Sequence, residues 1–142
     1  PMIPVIALIV GALAVLLHVY IFYMESVAWH RPAVWKRFGV RDQESADIVR
    51  PMAYNQGFYN LFLAIGAGVG LVLFAISAAG TNLHAVGFAL AVFALGSMVA
   101  ASLVLLSSGK KYITAAITQG ITPLAALAFL IVSFVTGAAV AG

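Results

Sequence analysis

Residues 4–23 read PVIALIVGALAVLLHVYIFY, an apolar run in which the first formal charge comes only at Glu25. A hydrocarbon core about 30 Å thick is crossed by roughly 20 mostly apolar residues in a helix. The run shows no alternation of period two, so a porin-type strand does not describe it. In lipid the backbone N–H and C=O groups must be satisfied within the segment itself, which leaves a transmembrane helix.

The same pattern recurs three times further along the chain. Expected helices cover about 4–29, 51–78, 83–107 and 111–140, with an interfacial loop at about 30–50. The expected fold is all-α, a four-transmembrane-helix bundle forming a single integral membrane domain over residues 1–142. Composition agrees. Apolar types make up 64% of the chain and DEKR only 8%, against about 45–50% and about 25% in soluble domains. Eleven formal charges cannot solvate a water-facing surface of this size, so a soluble globule is excluded. Disorder needs the opposite composition. With no Cys there is no disulfide framework, thiol nucleophile or Cys-type zinc site. The first segment does not read as a cleaved signal, since it lacks a basic start and a small-residue cleavage site. Pro1 reads as a remnant ahead of a native Met2, and Pro4 suits a first helical turn.

The charges set the orientation. Arg31, Lys36, Arg37, Arg41 and Arg50 fall between the first two segments, and Lys110 and Lys111 between the last two. Those connections share a side, which the positive-inside rule makes the cytoplasm, with both termini extracytoplasmic. The expected location is a bacterial inner (plasma) membrane. The charges thus serve the lipid bilayer, and nucleic acid is not an expected partner. Trp29, Trp35 and Phe38 among these cations read as a headgroup-level anchor. Asp42, Glu44, Ser45 and Asp47 read as the acidic start of a short helix before Pro51, with a solvated linker as the alternative. Gly66 and Gly70, and on the third helix Ala94, Gly96, Ser97, Ala100 and Ala101, mark close helix packing. That packing serves the bundle itself or, alternatively, a homo-oligomer.

Polar side chains in these helices are costly and are not scattered. At 100° per residue His18, Phe22, Glu25 and Trp29 share one stripe of the first helix. Asn55, Gln56, Tyr59 and Asn60 make a broad polar face on the second. Tyr112 and Gln119 share a face with Pro123 on the fourth. A bundle bringing the three faces together would hold a cytosol-facing polar pocket. In that pocket His18, Glu25 and Tyr59 are the candidate acid–base groups. Tyr20, Trp29, Asn55, Gln56, Asn60, Tyr112 and Gln119 are the candidate ligand-binding groups. Each has a plainer alternative: a structural histidine, a headgroup-level carboxylate paired with Arg31 or Lys36, interhelical amide bonds, a kink at Gly120–Pro123. His18, His30 and His84 lie at three depths and cannot share a metal ion. A lone His18 names no cofactor, although one imidazole can ligate a haem. No Gly-x-Ser-x-Gly elbow or phosphate loop is present.

The blocks His18-Val-Tyr20-Ile-Phe22-Tyr-Met-Glu25-Ser-Val-Ala-Trp29, Phe38-Gly39 and Asn55-Gln56-Gly57-Phe-Tyr59-Asn60 resemble a small bacterial membrane family. That family is known only as domain of unknown function number thirteen hundred and four. The likeness covers nearly the whole chain and includes Gln119-Gly120, while Leu61 stands where a small residue is expected. It implies a four-helix fold and no established activity. Two functions follow from the residues. One is binding or chemical processing of a small amphiphilic or lipophilic molecule, a lipid included. The other is proton-coupled export, as in the small multidrug transporters, which carry their first-helix Glu nearer mid-membrane than Glu25.

Overall fold

The structure, a computed structural model, describes residues 2–137. Helix α1 (Met2–Phe22) runs into a π-helical turn at Tyr23–Val27. The short α2 (Pro32–Trp35) and a 3-10 turn at Lys36–Phe38 lead to α3 (Gln43–Ile76). Helix α4 (Asn82–Ser107), a 3-10 turn at Lys110–Tyr112 and α5 (Ile113–Val135) complete the chain. The spans Met2–Val27, Gln43–Ile76, Asn82–Ser107 and Lys110–Val135 are each long and apolar enough to cross a membrane. The protein is a multi-pass, all-α membrane protein, and its surroundings are a lipid bilayer.

The four long helices form a ring. Helix α1 packs on α3, α3 on α4, α4 on α5, and α5 closes on α1, while the diagonal pairs barely touch. Large apolar side chains such as Leu16, Phe62, Val72, Phe93 and Ile117 point outward, as a lipid-facing surface requires. The interior is built from small residues: Ala7, Ala14, Ala67, Ala91, Ala94 and Ala126 are fully or almost fully buried. Lipid supplies no hydrophobic force between helices, so close backbone approach has to supply the attraction. Gly70 shows how close this approach is. A Cβ there would run into the Ala91 backbone nitrogen and lie 2.8 Å from the Ala91 Cα. Gly11 against Leu71, Gly68 against Val15 and Gly57 against Ser26 fix α1 and α3 as antiparallel. The far end is closed by rings, with His84 stacked on Phe74 at 4.2 Å and Phe88 on Phe134 at 3.9 Å.

Element boundaries differ from the sequence expectation at two places that shape the site. The short helix expected from the Asp42 cluster and the second span are one helix, α3, which runs unbroken through Pro51 from a cap at Asp42. Its backbone is extended and its carboxylate accepts the Ser45 N–H at 2.7 Å, satisfying one of the otherwise unpaired donors of the first turn. The Ser45 backbone N–H, with the Ser45 hydroxyl beside it, holds the Asp42 carboxyl below its usual range. Pro51 lies inside α3 and removes one bond to the Asp47 carbonyl, on an exposed stretch where water can replace it. At 1.5 Å per residue α3 is about 51 Å long, far more than the core, so its first turns stand clear of the hydrocarbon. The second difference is that α1 does not continue to residue 29 but widens at Tyr23. Residues 138–140, expected in the last helix, lie outside the described residues.

Candidate functional site

The π turn positions the carboxylate. A π turn carries one more residue per turn than an α-helix, which re-aims the side chains after it. Glu25 sits at its centre and is only 8% exposed. Its Oε2 accepts a hydrogen bond from Asn60 Nδ2 at 2.9 Å, and the same Nδ2 donates to the Gln56 carbonyl at 3.2 Å. Among the described residues nothing donates to Oε1, and that oxygen is not sealed from the surface. Among the described residues no cation pairs with Glu25.

Gly57 makes this approach sterically feasible. A Cβ there would collide with the Ser26 hydroxyl and lie 3.0 Å from the Glu25 Cβ. The Ser26 hydroxyl donates to the Tyr54 carbonyl at 2.8 Å, which ties the π turn to the second side of α3. Beyond the turn, the loop folds back as a small apolar cluster of its own. Trp29, Trp35, Ala46 and Ala53 are buried there, with Phe38, Val40 and Val49 packed against them. Trp29 Nε1 donates to the Ala46 carbonyl at 3.0 Å, locking the indole to the first turns of α3. The Trp29 and Phe38 rings are 5.4 Å apart and tilted by 52°.

A groove of about 450 Å³ lies between this cluster and α3, lined chiefly by Glu25, Trp29, Phe38, Met52, Asn55 and Gln56. Chemically it offers a carboxylate oxygen without a donor, two amides that donate and accept, and two aromatic faces.

The sequence-derived candidates therefore separate. Glu25, Trp29, Asn55 and Gln56 share the groove, and Asn60 backs it. Tyr59 is 58% exposed on the outer side of α3 and does not line the groove. Tyr20 is also exposed, with its hydroxyl 3.5 Å from the Arg37 guanidinium that donates to it. His18 is fully buried in the bundle. Its Nδ1 lies 2.9 Å from the Ala14 carbonyl, and its Nε2 has no partner among the described residues. No hydrogen bond joins it to Glu25. Tyr112, which ends the 3-10 turn before α5, and Gln119 on α5 are half-buried, and α5 stands diagonally across the ring from α3. The expected three-helix convergence is thus replaced by a site built from the end of α1, the loop and α3. The reason is the ring order: α5 turns its Gly120 toward Ser102 of α4, not toward the α3 amides. Conversely, the structure adds Phe38, Met52 and the spacer Gly57. Phe38 was legible as part of an aromatic anchor but not as a groove residue, Gly57 had a local signal as the small residue between Gln56 and the aromatic Phe58 in a polar block, and Met52 had none. No group of three metal-ligating side chains occurs among the described residues.

No curated protein and no solved structure matches this chain. Residues 12–131 match the family described as a protein of unknown function, DUF1304. With the match running from the middle of α1 into the last turns of α5 and through the whole groove, the chain belongs to the DUF1304 family.

Proposed function

We propose that this protein binds a small amphiphilic molecule in the groove at the charged end of the bundle. The polar head would meet Glu25, Asn55 and Gln56, and the apolar part would lie along Trp29, Phe38 and Met52 toward the acyl chains. The single observation behind this reading is the state of Glu25. Removing a carboxylate from water costs several kcal/mol unless it is satisfied, yet here one oxygen is held by Asn60, the other has no donor among the described residues, and the residue lines the groove. The clustering of all seven Lys and Arg at this end supports a groove that opens to the cytosol from a bacterial inner membrane.

Binding is favoured over acid–base chemistry because His18 and Tyr59, the other candidate proton carriers, do not line the groove. It is favoured over proton-coupled export because Glu25 is two residues from the end of the Met2–Val27 span and not near its middle. The test is a thermal-shift screen of the purified protein in dodecyl maltoside with small amphiphiles of varied head group. A stabilising compound is expected to lose its effect in Asn55→Ala and Gln56→Ala, both exposed positions whose loss leaves packing intact. Stabilisation that survives both changes, or no stabilisation by any head group, overturns the reading.

A further inference from the structure

We propose that the head group this groove takes is an organic ammonium, a protonated amine or quaternary ammonium carrying an apolar tail. This rests on the binding reading above and narrows it. Seven cations surround this end of the protein, so an anionic ligand would be the first guess from net charge alone. The groove itself reverses that guess. Its lining contains one ionisable side chain, Glu25, and no Lys or Arg.

The nearby cations with a resolved partner engage aromatic side chains instead. Lys36 Nζ sits 5.6 Å from the Trp35 ring centre, and Arg37 reaches the Tyr20 hydroxyl. None of them neutralises Glu25, whose single described partner is the neutral amide of Asn60. An amide satisfies a lone pair without cancelling charge, so the free Oε1 remains a cation acceptor.

The aromatic pair supplies the second element. Trp29 and Phe38 are inclined to each other by 52° and both line the groove, Trp29 by the small part of its surface that the cluster leaves uncovered. The Trp29 indole N–H is committed to the Ala46 carbonyl and cannot serve an anion. Ring faces attract ammonium groups through their quadrupole, and a carboxylate beside them adds a charge-assisted contact. Asn55 and Gln56 can accept from an N–H of a protonated amine. The apolar residues Val40, Val49 and Met52 that complete the lining suit a hydrocarbon tail.

The experiment compares decyltrimethylammonium, decyl maltoside and decyl sulfate, one tail with three head charges, on the intact protein in dodecyl maltoside micelles. Intrinsic fluorescence gives the affinity, since Trp29 lines the groove. The ammonium compound, which has no N–H and draws on the Glu25 charge and the ring faces, is expected to bind at least about tenfold more tightly than either other head. Glu25→Gln is expected to erase that preference while leaving tail binding. Should Glu25→Gln fail to fold, Met52→Lys, at an exposed rim position, places a cation beside the groove and is expected to weaken ammonium binding selectively.

Tighter binding of the neutral or the sulfate head, or a preference that survives Glu25→Gln or Met52→Lys, overturns the ammonium assignment while leaving the groove a binding site. Absence of binding by all three overturns the underlying reading as well. Phosphatidylethanolamine carries an ammonium too. Micelles doped with it or with phosphatidylglycerol separate the sources: competition by the former alone assigns the site to a lipid head, and no competition by either assigns it to a free amine.

Discussion

Asn60 on α3 holds Glu25 on the π turn through a 2.9 Å hydrogen bond between residues 35 positions apart. It satisfies one oxygen of a carboxylate that is largely buried. Hydrogen bonds between membrane helices are worth only about 0.6 kcal/mol on average, so the bond itself is a small term. Orphaning the carboxylate is the large one. Asn60→Ala is therefore expected to destabilise the protein by about 1–3 kcal/mol, whereas Glu25→Gln, which keeps an acceptor for Asn60, costs less. The double change Glu25→Leu with Asn60→Leu is expected to recover most of the loss. Unfolding in mixed micelles with increasing SDS measures all three, and a double variant as unstable as Asn60→Ala contradicts the account.

Gly57→Ala tests the spacer. The added Cβ meets the Ser26 hydroxyl and the Glu25 Cβ, so α1 and α3 have to part locally, at a cost of about 1–3 kcal/mol. Gly96 is the control, since a Cβ there meets nothing within 4 Å. Gly96→Ala is expected to be neutral or to stabilise α4 by about 0.5–1 kcal/mol. Equal melting temperatures for the two variants would show that the Gly57 contact does not limit the approach of the helices.

Orientation is open to direct measurement. Cysteines introduced at Asn82 and at Lys110, at opposite ends of α4, are expected to react with an impermeant thiol reagent from opposite sides of the membrane. Lys110→Cys is expected to react from the cytosolic side. Labelling of both from one side contradicts four spans, and reversed labelling contradicts the positive-inside assignment.

Asp42 gives the fold a pH dependence outside the membrane. Its carboxyl is held low by the Ser45 N–H. The cap therefore contributes fully above the unfolded carboxylate range, near pH 4, and is lost as pH falls through the lower folded value. Protection of the Ser45 amide against hydrogen exchange, corrected for intrinsic rates, is expected to drop on acidification through that window. Asp42→Ala is expected to abolish the protection at every pH. Because Ala46 in the same turn accepts the Trp29 indole, Trp29 emission is expected to shift along with it. An unchanged amide at low pH would show that the cap does not hold the turn.

Much of the molecule is legible in the sequence, and Pro4–Tyr23 shows why. Twenty consecutive residues without a formal charge have one stable structure in lipid, because each backbone donor must find its acceptor inside the segment. That argument needs no neighbour, and it yields four helices and a bilayer. The polar block from Asn55 to Asn60 was visible for a similar reason, since amides in a membrane helix are expensive wherever they point.

Which of those groups meet was not legible. Helical phase put Tyr59 and Asn60 on one broad face, yet Asn60 is buried on Glu25 and Tyr59 is exposed. At 100° per residue the face from Asn55 to Asn60 is about 140° wide, and a face that wide can turn either edge inward. Gln119 was expected to face the α3 amides, but a helix's polar face does not say which helices are its neighbours. Tertiary packing decided both. Close approach at Gly70 and Ala91 binds α3 to α4, α5 closes on α1, and the diagonal leaves α5 away from the groove. The π turn was decided in the same way, by the contact of Gly57 with Ser26 and Glu25, whereas the Asp42 cap that starts α3 is a local bond to Ser45 and was legible as the acidic start of a helix. The sequence by itself determined what had to be helical and apolar, because the solvent imposes that residue by residue. Only the tertiary structure decided which polar groups share a space, because that depends on contacts between helices that no single segment encodes.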